Sequence, residues 1–226
     1  MSMCGRFTVA IDFSQLALDL DAELESGLPA PSWNIAPTQT IAIAAQDDRG
    51  TRHIAPAYWS FIPPWADSKK LAYPTHNARI ETALNKRTFS EAAHSHRAII
   101  PATGYYEWDQ HKTPHYFHDA ERPILFLAGL YNWWRPNKQS PWLLTCTILT
   151  RQATGGAAEV HNRMPVLIGN DLVDPWLDPA SEARPLMDEA SAKGAQLSDQ
   201  LSSHTVAKLR GDGPQLIEPD EFTLSI

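Results

Sequence analysis

The chain has 226 residues, 43% hydrophobic and 20% charged, with a net charge of −7. That is enough for one sizeable core, and neither an apolar run near the roughly 18 residues of a membrane span nor a basic-then-apolar leader is present, which argues against membrane and secreted classes. Cys4 and Cys146 are the two cysteines; they make neither a disulfide framework nor a CxxC metal pattern, which points to a reducing, cytoplasmic setting.

The chain opens with Met3-Cys4-Gly5-Arg6-Phe7 after Met1-Ser2. An initiator methionine before a small side chain is normally trimmed, so a start at Met3 would leave Cys4 first. A terminal cysteine carries an α-amine of pKa roughly 7.7–8.0 beside a thiol of about 8.5. Such an aminothiol can form a Schiff base with an aldehyde and then close to a thiazolidine; an internal cysteine cannot. On position alone, a poorly ordered chain start is the alternative.

Leu16, Leu20 and Leu24 recur at helical spacing and predict a helix over about Phe13–Leu24. Short β-rich runs separated by proline and glycine follow: Thr40–Ala45, His53–Trp59, Ala98–Pro101, Tyr105–Trp108, His115–Phe117, Ile124–Leu130, Trp142–Leu149 and Met164–Ile168. Helical segments are expected near Glu81–Ser95 and Asp171–Lys193, and a strand plus tail from Leu201. Cys146 lies in an apolar run and reads as a buried core thiol. The pattern predicts an α+β fold: mostly antiparallel, partly closed β-barrel-like sheets with peripheral helices, in one domain over residues 1–226.

Residues 171–226 hold 11 acidic and 4 basic side chains, whereas residues 1–170 hold 15 of each. The whole charge deficit therefore lies in the last quarter, expected to pack back on the body, and a locally basic cleft elsewhere is compatible with the composition.

Cys4-x-Arg6, Asn77-x-Arg79 and His161-x-Arg163 each place an arginine two residues after a polar or reactive group. In an extended strand those side chains share a face. Three guanidiniums so arranged suit successive phosphates, because the planar fork binds phosphate oxygens in pairs; each taken singly reads as a solvated or salt-bridged strand arginine. Glu107 sits among aromatics in Thr103-Gly104-Tyr105-Tyr106-Glu107-Trp108, where an apolar setting would raise a carboxyl pKa and suit proton shuttling. A carboxylate paired with an arginine is the equal alternative there. His161 reads as an acid, a base or a structural residue. The remaining histidines look scattered, with no zinc ligand set of convincing spacing, so no metal or cofactor is expected.

The chain resembles the SOS response-associated peptidase (SRAP) family, the abasic-site processing proteins. The matching stretches are Met3–Phe7, Trp33-Asn34-Ile35-Ala36-Pro37, Trp59–Trp65, Asn77–Thr82, Gly104–Trp108, Ala128–Tyr131, Thr147–Thr150, Val160–Leu167 and Gly213–Pro219. Ser60 stands where glycine is expected, and Ala207 where asparagine is common.

The resemblance implies covalent trapping of abasic sites in single-stranded DNA through a thiazolidine on Cys4. It assigns Asn77 to orienting the amine and sugar, Glu107 to proton transfer, and His161 to opening the sugar ring or reversing the link. Arg6, Arg79 and Arg163 would grip the backbone. Asn34, Pro37, Trp65 and Trp108 would belong to the same DNA surface, the tryptophans as stacking or wedging rings. Core packing is the alternative for each of these tryptophans, and it is the expectation for Trp133 and Trp134. The competing reading is a thiol peptidase using Cys4, His161 and Glu107; a phosphate-binding module with an inert cysteine is a third. The peptidase gives the arginines no role and the module gives Cys4 none. Removal of Met1-Ser2-Met3, by a misassigned start, a peptidase or self-cleavage, is a condition of the first reading. A monomer is expected.

Overall fold

The computed structural model describes residues 5–220. In chain order the first strands are β1 Arg6–Val9, β2 Ala22–Leu24, β3 Ser32–Ile35, β4 Thr40–Gln46, β5 Arg52–Trp59 and β6 Asn77–Arg79. Then come β7 Arg97–Ala102, β8 Gly104–Trp108, β9 Pro114–His118, β10 Leu125–Trp134, β11 Leu143–Gln152, β12 Arg163–Pro165 and β13 Ser202–Thr205. The helices are α1 Phe13–Leu20, α2 Ile80–Ala83, α3 Ser90–Ser95, α4 Gly155–Val160, α5 Val173–Leu177 and α6 Ala183–Ser198.

Five strands close into a ring. β11, β10, β7, β4 and β5 pair antiparallel in that order, and β5 then returns to β11 in parallel through Thr145↔Tyr58 and Cys146↔Trp59. Beyond Trp59 the chain leaves the ring and β6 takes over the same edge of β11, with Ile148↔Asn77 and Thr150↔Arg79. The expected partly closed sheet is thus a closed barrel, sealed by one parallel contact.

Period-2 alternation explains why both faces of the ring are apolar. Ile41, Ile43, Ile100, Leu127, Cys146 and Ile148 point inward, while Ala42, Ala44, Ile99, Ala128, Leu130 and Leu149 point outward. The outward set packs under α1, α2, α3, α5 and α6 through residues such as Leu16, Leu20, Trp176 and Leu186. Gly129 leaves room for Ile100 of the neighbouring β7, since a Cβ there would meet the end of that side chain. Cys146 is fully buried, and that burial pushes its thiol pKa up, so it stays an inert core group.

The second sheet runs β13-β9-β8-β1-β3. Phe7, Val9, Ile35, Tyr105 and Phe117 of this sheet join the inward core of the ring, so it covers one end of the barrel. Its other face, with Tyr106 and Tyr116, lies under Val206, Leu209 and Ile217 of the C-terminal segment.

Three expectations are corrected. α1 ends at Leu20 rather than Leu24: Asp21 adopts the left-handed conformation (φ 49°) and its N–H closes on Ala17 and Leu18 carbonyls. Ala22–Leu24 then joins β5 as a parallel strand. Met164–Ile168 is extended only to Pro165 as a ladder, with Leu167 in a separate bridge to Leu127. Trp134 is buried as expected, but Trp133 is 52% exposed, because alternation along β10 turns it to the far mouth of the ring. No helix of the described residues is long and apolar enough to cross a membrane.

Candidate active-site cleft

β1 lies between β8 and β3, with Arg6↔Tyr106, Phe7↔Tyr105 and Phe7↔Ile35 in register. Phe7 therefore points at the barrel, where its ring meets Trp59 edge-on at 5.0 Å. Tyr105 and Glu107 share that face, since they are two apart in β8. Glu107 is 3% exposed yet lines an open cleft of about 690 Å³ at the covered end of the barrel. Gly5, Arg6, Pro37, Trp108, Lys112, His161, Lys208 and Leu209 complete the lining. Cys4 lies outside the described residues; its covalent neighbour Gly5 is at the cleft wall.

Arg6 donates from Nη1 to Asn34 Oδ1 at 2.7 Å, and Asn34 Nδ2 donates to the Gly211 carbonyl at 2.6 Å. Both ends of the Asn34 carboxamide are used in this way, so Asn34 acts as a bracket for Arg6. The C-terminal segment is fastened again at Asp212, whose Oδ1 accepts the Trp33 N–H at 2.7 Å. Tyr106 donates its hydroxyl to the Trp33 carbonyl at 2.9 Å. Burial drives the Tyr106 pKa up, so this bond stays a donor contact through the physiological range.

His161 follows α4 and precedes β12 rather than lying within a strand. Its Nδ1 lies 3.1 Å from the Arg163 backbone N–H and 3.3 Å from the Arg163 carbonyl, so this nitrogen is turned to the backbone of its own loop. The Arg163 guanidinium is engaged elsewhere. Its two Nη atoms reach the Glu81 carboxylate at 2.7 and 2.9 Å, and Nη2 also reaches the Thr150 carbonyl at 2.6 Å. The expected open phosphate fork at Arg163 is therefore an internal clamp between α2 and the β11–β12 pair. Partial burial pushes the Glu81 carboxyl up, but the Arg163 fork and backbone N–H donors outweigh it and hold its pKa below the usual range.

Arg79 is exposed on β6, opposite Thr150. Asn77, half-buried on the same strand, is not part of the cleft lining. It follows His76, whose carbonyl accepts Trp59 Nε1 at 2.8 Å and whose ring stands edge-on to Trp59 at 5.9 Å. Phe7, Trp59 and His76 thus form a packed chain from β1 to the β6 edge. Burial lowers the His76 pKa and keeps that ring neutral. Trp65 is 44% exposed outside the cleft lining, with the Arg87 guanidinium 4.7 Å above its ring.

Three cleft residues escaped the sequence reading: Lys112, Lys208 and Leu209. A signal for Lys208 existed. Lys208 and Arg210 are half of the four basic residues in the acidic last quarter, set two apart. Lys112 lies in the β8–β9 turn at φ 65°, a conformation that the sequence does not announce for lysine. With Arg6, these lysines give the cleft three cations against the one carboxylate of Glu107, a balance that favours an anionic ligand.

Residues 3–210 match the family described as SOS response associated peptidase (SRAP). The chain is 36% identical over 183 residues to the abasic site processing protein YoaM of Bacillus subtilis, covering 78% of this chain and 80% of that one. It is 32% identical to YoqW of the same organism over 96% and 99% of the two chains. With the abasic site processing protein YedK of Escherichia coli it shares 26% identity, covering 96% of this chain and 100% of the relative. A solved structure from Bacteroides thetaiotaomicron shares the fold, with TM-score 0.80, 20% identity and coverage of 96% and 100%. By sequence over nearly its whole length, this chain belongs to the SRAP family.

Proposed function

We propose that this protein captures abasic sites in single-stranded DNA by forming a thiazolidine on Cys4. The observation that carries the reading is the cleft itself. It gathers Glu107, His161 and three cations around Gly5, the residue bonded to Cys4. Arg6, Lys112 and Lys208 hold strand phosphates there, Arg79 extends the track along β6, and Trp108 and Pro37 offer apolar surface to bases beside the lesion.

The reaction balances without a cofactor. The Cys4 α-amine adds to the aldehyde carbon of the ring-opened sugar, and the carbinolamine loses water to give an imine. The thiol then adds across that carbon–nitrogen double bond, its proton passing to nitrogen, and one water is released overall. Glu107 delivers the proton to the departing water, and His161 Nε2 serves the sugar-ring oxygen during opening. Asn77 orients the sugar from the β6 side. The amine must be free, so removal of Met1-Ser2-Met3 precedes the chemistry.

The test is a denaturing gel with verified Cys4-terminated protein and a strand bearing one abasic site. A heat-stable shifted band is expected, lost in Cys4→Ala and formed more slowly in Glu107→Gln. Absence of a shifted band from the verified protein overturns the reading.

A further inference from the structure

The barrel has a second end. The carboxyl ends of β4 and β10 meet the amino ends of β5, β7 and β11 there, and the cleft lies at the opposite ends of the same strands. Register identifies the side chains that face its lumen. Ile43↔Ala55, Ala45↔His53, Tyr131↔Cys146 and Trp133↔Leu144 are directly opposed pairs, and Ile43, Cys146 and Leu144 belong to the inward core. Ala45, His53, Ala55, Tyr131 and Trp133 therefore share the inward face. With Trp142, Glu25 and Asp47 they line a cavity of about 580 Å³.

Its chemistry is opposite to that of the cleft. Glu25 Oε1 stands 3.0 Å and Asp47 Oδ2 3.8 Å from the two nitrogens of His53, and Glu23 adds a third carboxylate at 3.8 Å. Trp133 and Trp142 are 52% and 55% exposed at the mouth. The protein's own Arg135 guanidinium lies 4.2 Å over the Trp142 ring; among the described residues no cation covers Trp133. One indole of the pair thus already carries a guanidinium, and the other is left bare beside carboxylates.

We propose that this mouth is a docking site for an arginine-bearing apolar segment of a partner protein. The guanidinium stacks on Trp133 and meets Glu25 and Asp47, while the flanking apolar side chains lie on the half-buried Ala55 and Leu143. Charge complementarity decides the occupant: the acidic rim repels a phosphate backbone, and indole faces attract planar cations. Tryptophan and arginine also dominate the binding energy of protein interfaces. The site stands independently of the abasic-site reading, and its position leaves DNA and a protein partner bound at opposite ends of one barrel.

The experiment uses the full chain and three fluorescein-labelled decapeptides with one leucine–alanine frame, carrying arginine, norleucine or glutamate at the centre, read by anisotropy. The arginine peptide is expected to bind at least about 10-fold tighter than the glutamate peptide. Trp133→Ala and Glu25→Gln each weaken it about 5-fold, one cation–π or charged contact's worth. Thermal melts confirm that both variants are folded. Adduct formation with the abasic strand stays unchanged in both. Equal binding of the three peptides, indifference to Trp133→Ala, or no binding of the arginine peptide at 1 mM (roughly the weakest affinity worth assigning to a site) overturns the proposal.

Discussion

Arg163 and Arg79 carry the same sequence signature and have different uses. Spacing two residues after a polar group predicted phosphate forks at Arg6, Arg79 and Arg163, but Glu81, 82 positions from Arg163, claims the last of them. No local pattern announces that pairing, because the partner arrives through the β6–β11–β12 ladder. Arg79→Ala is expected to weaken single-strand binding independently of sequence and to flatten the salt dependence by about 0.7 log units per log unit of salt. Arg163→Ala should act first on stability. In a Glu81/Arg163 double-mutant cycle the coupling is expected to be about 1 kcal/mol, since the fork is paired twice but the carboxylate is half exposed. Glu81 has a lowered folded pKa, so this contribution is fully present above its unfolded pKa, about 4.3, and is lost as pH falls through the lower folded value. Urea melts of the cycle at pH 7 and pH 3 check both sign and size; a coupling that grows on acidification contradicts the assignment. Arg97, unremarked in the sequence, is 1% exposed and donates to the carbonyls of Ala93, His94, Trp176, Asp178 and Ser181. It ties β7 to α3 and to the turn after α5. Arg97→Leu should cost about 3 kcal/mol or more by stranding those acceptors, read as a lowered urea midpoint with unchanged slope.

At the scale of elements, strands with strong alternation were legible and their ends were not. β4, β5, β10 and β11 are all recognisable from β-branched and aromatic runs. β1, β3 and β6 are three or four residues long, too short for a period to emerge, yet they carry Arg6, Asn34 and Asn77. The C-terminal segment shows the same limit. It was expected to pack back on the body, but its acidic composition did not say where: Lys208 and Leu209 reach the cleft because Gly211 and Asp212 are bonded to β3. Asp212→Ala is expected to cost about 1 kcal/mol for one exposed hydrogen bond and to weaken DNA binding through displacement of Lys208. Asp212→Asn keeps an acceptor oxygen and should restore most of both; an alanine variant with full DNA affinity would separate the segment from the site. The β8–β9 turn gives a complementary test. Lys112 at φ 65° holds a conformation that glycine adopts without strain. Lys112→Gly should therefore stay within about 1 kcal/mol of the parent in a urea melt, even as it weakens DNA binding.

For the whole molecule, barrel closure was the feature least readable in advance. Alternation tells which face of each strand is apolar, but every strand of the ring is apolar on both faces, so pattern alone cannot say which edges meet. The closing contact is two residue pairs, Thr145↔Tyr58 and Cys146↔Trp59, between strands about 90 positions apart. Closure also separates the charge. An acid-rich chain of net −7 keeps Arg6, Lys112 and Lys208 at one end of the ring and Glu23, Glu25 and Asp47 around the other. Net charge then misreports the ligand, because screening confines each field to roughly 10 Å at 0.1 M salt. Noncovalent binding of single-stranded DNA should answer to the local cations alone. With Arg6, Arg79, Lys112 and Lys208 each meeting one phosphate, the log affinity of the Cys4→Ala protein is expected to fall with log salt at a slope of about −3. Lys208→Ala should bring that slope closer to −2, whereas neutralising Glu23 and Glu25 at the far end should leave it unchanged. A slope near zero, or one that follows the far-end charges, would mean that the cleft is not where the strand lies.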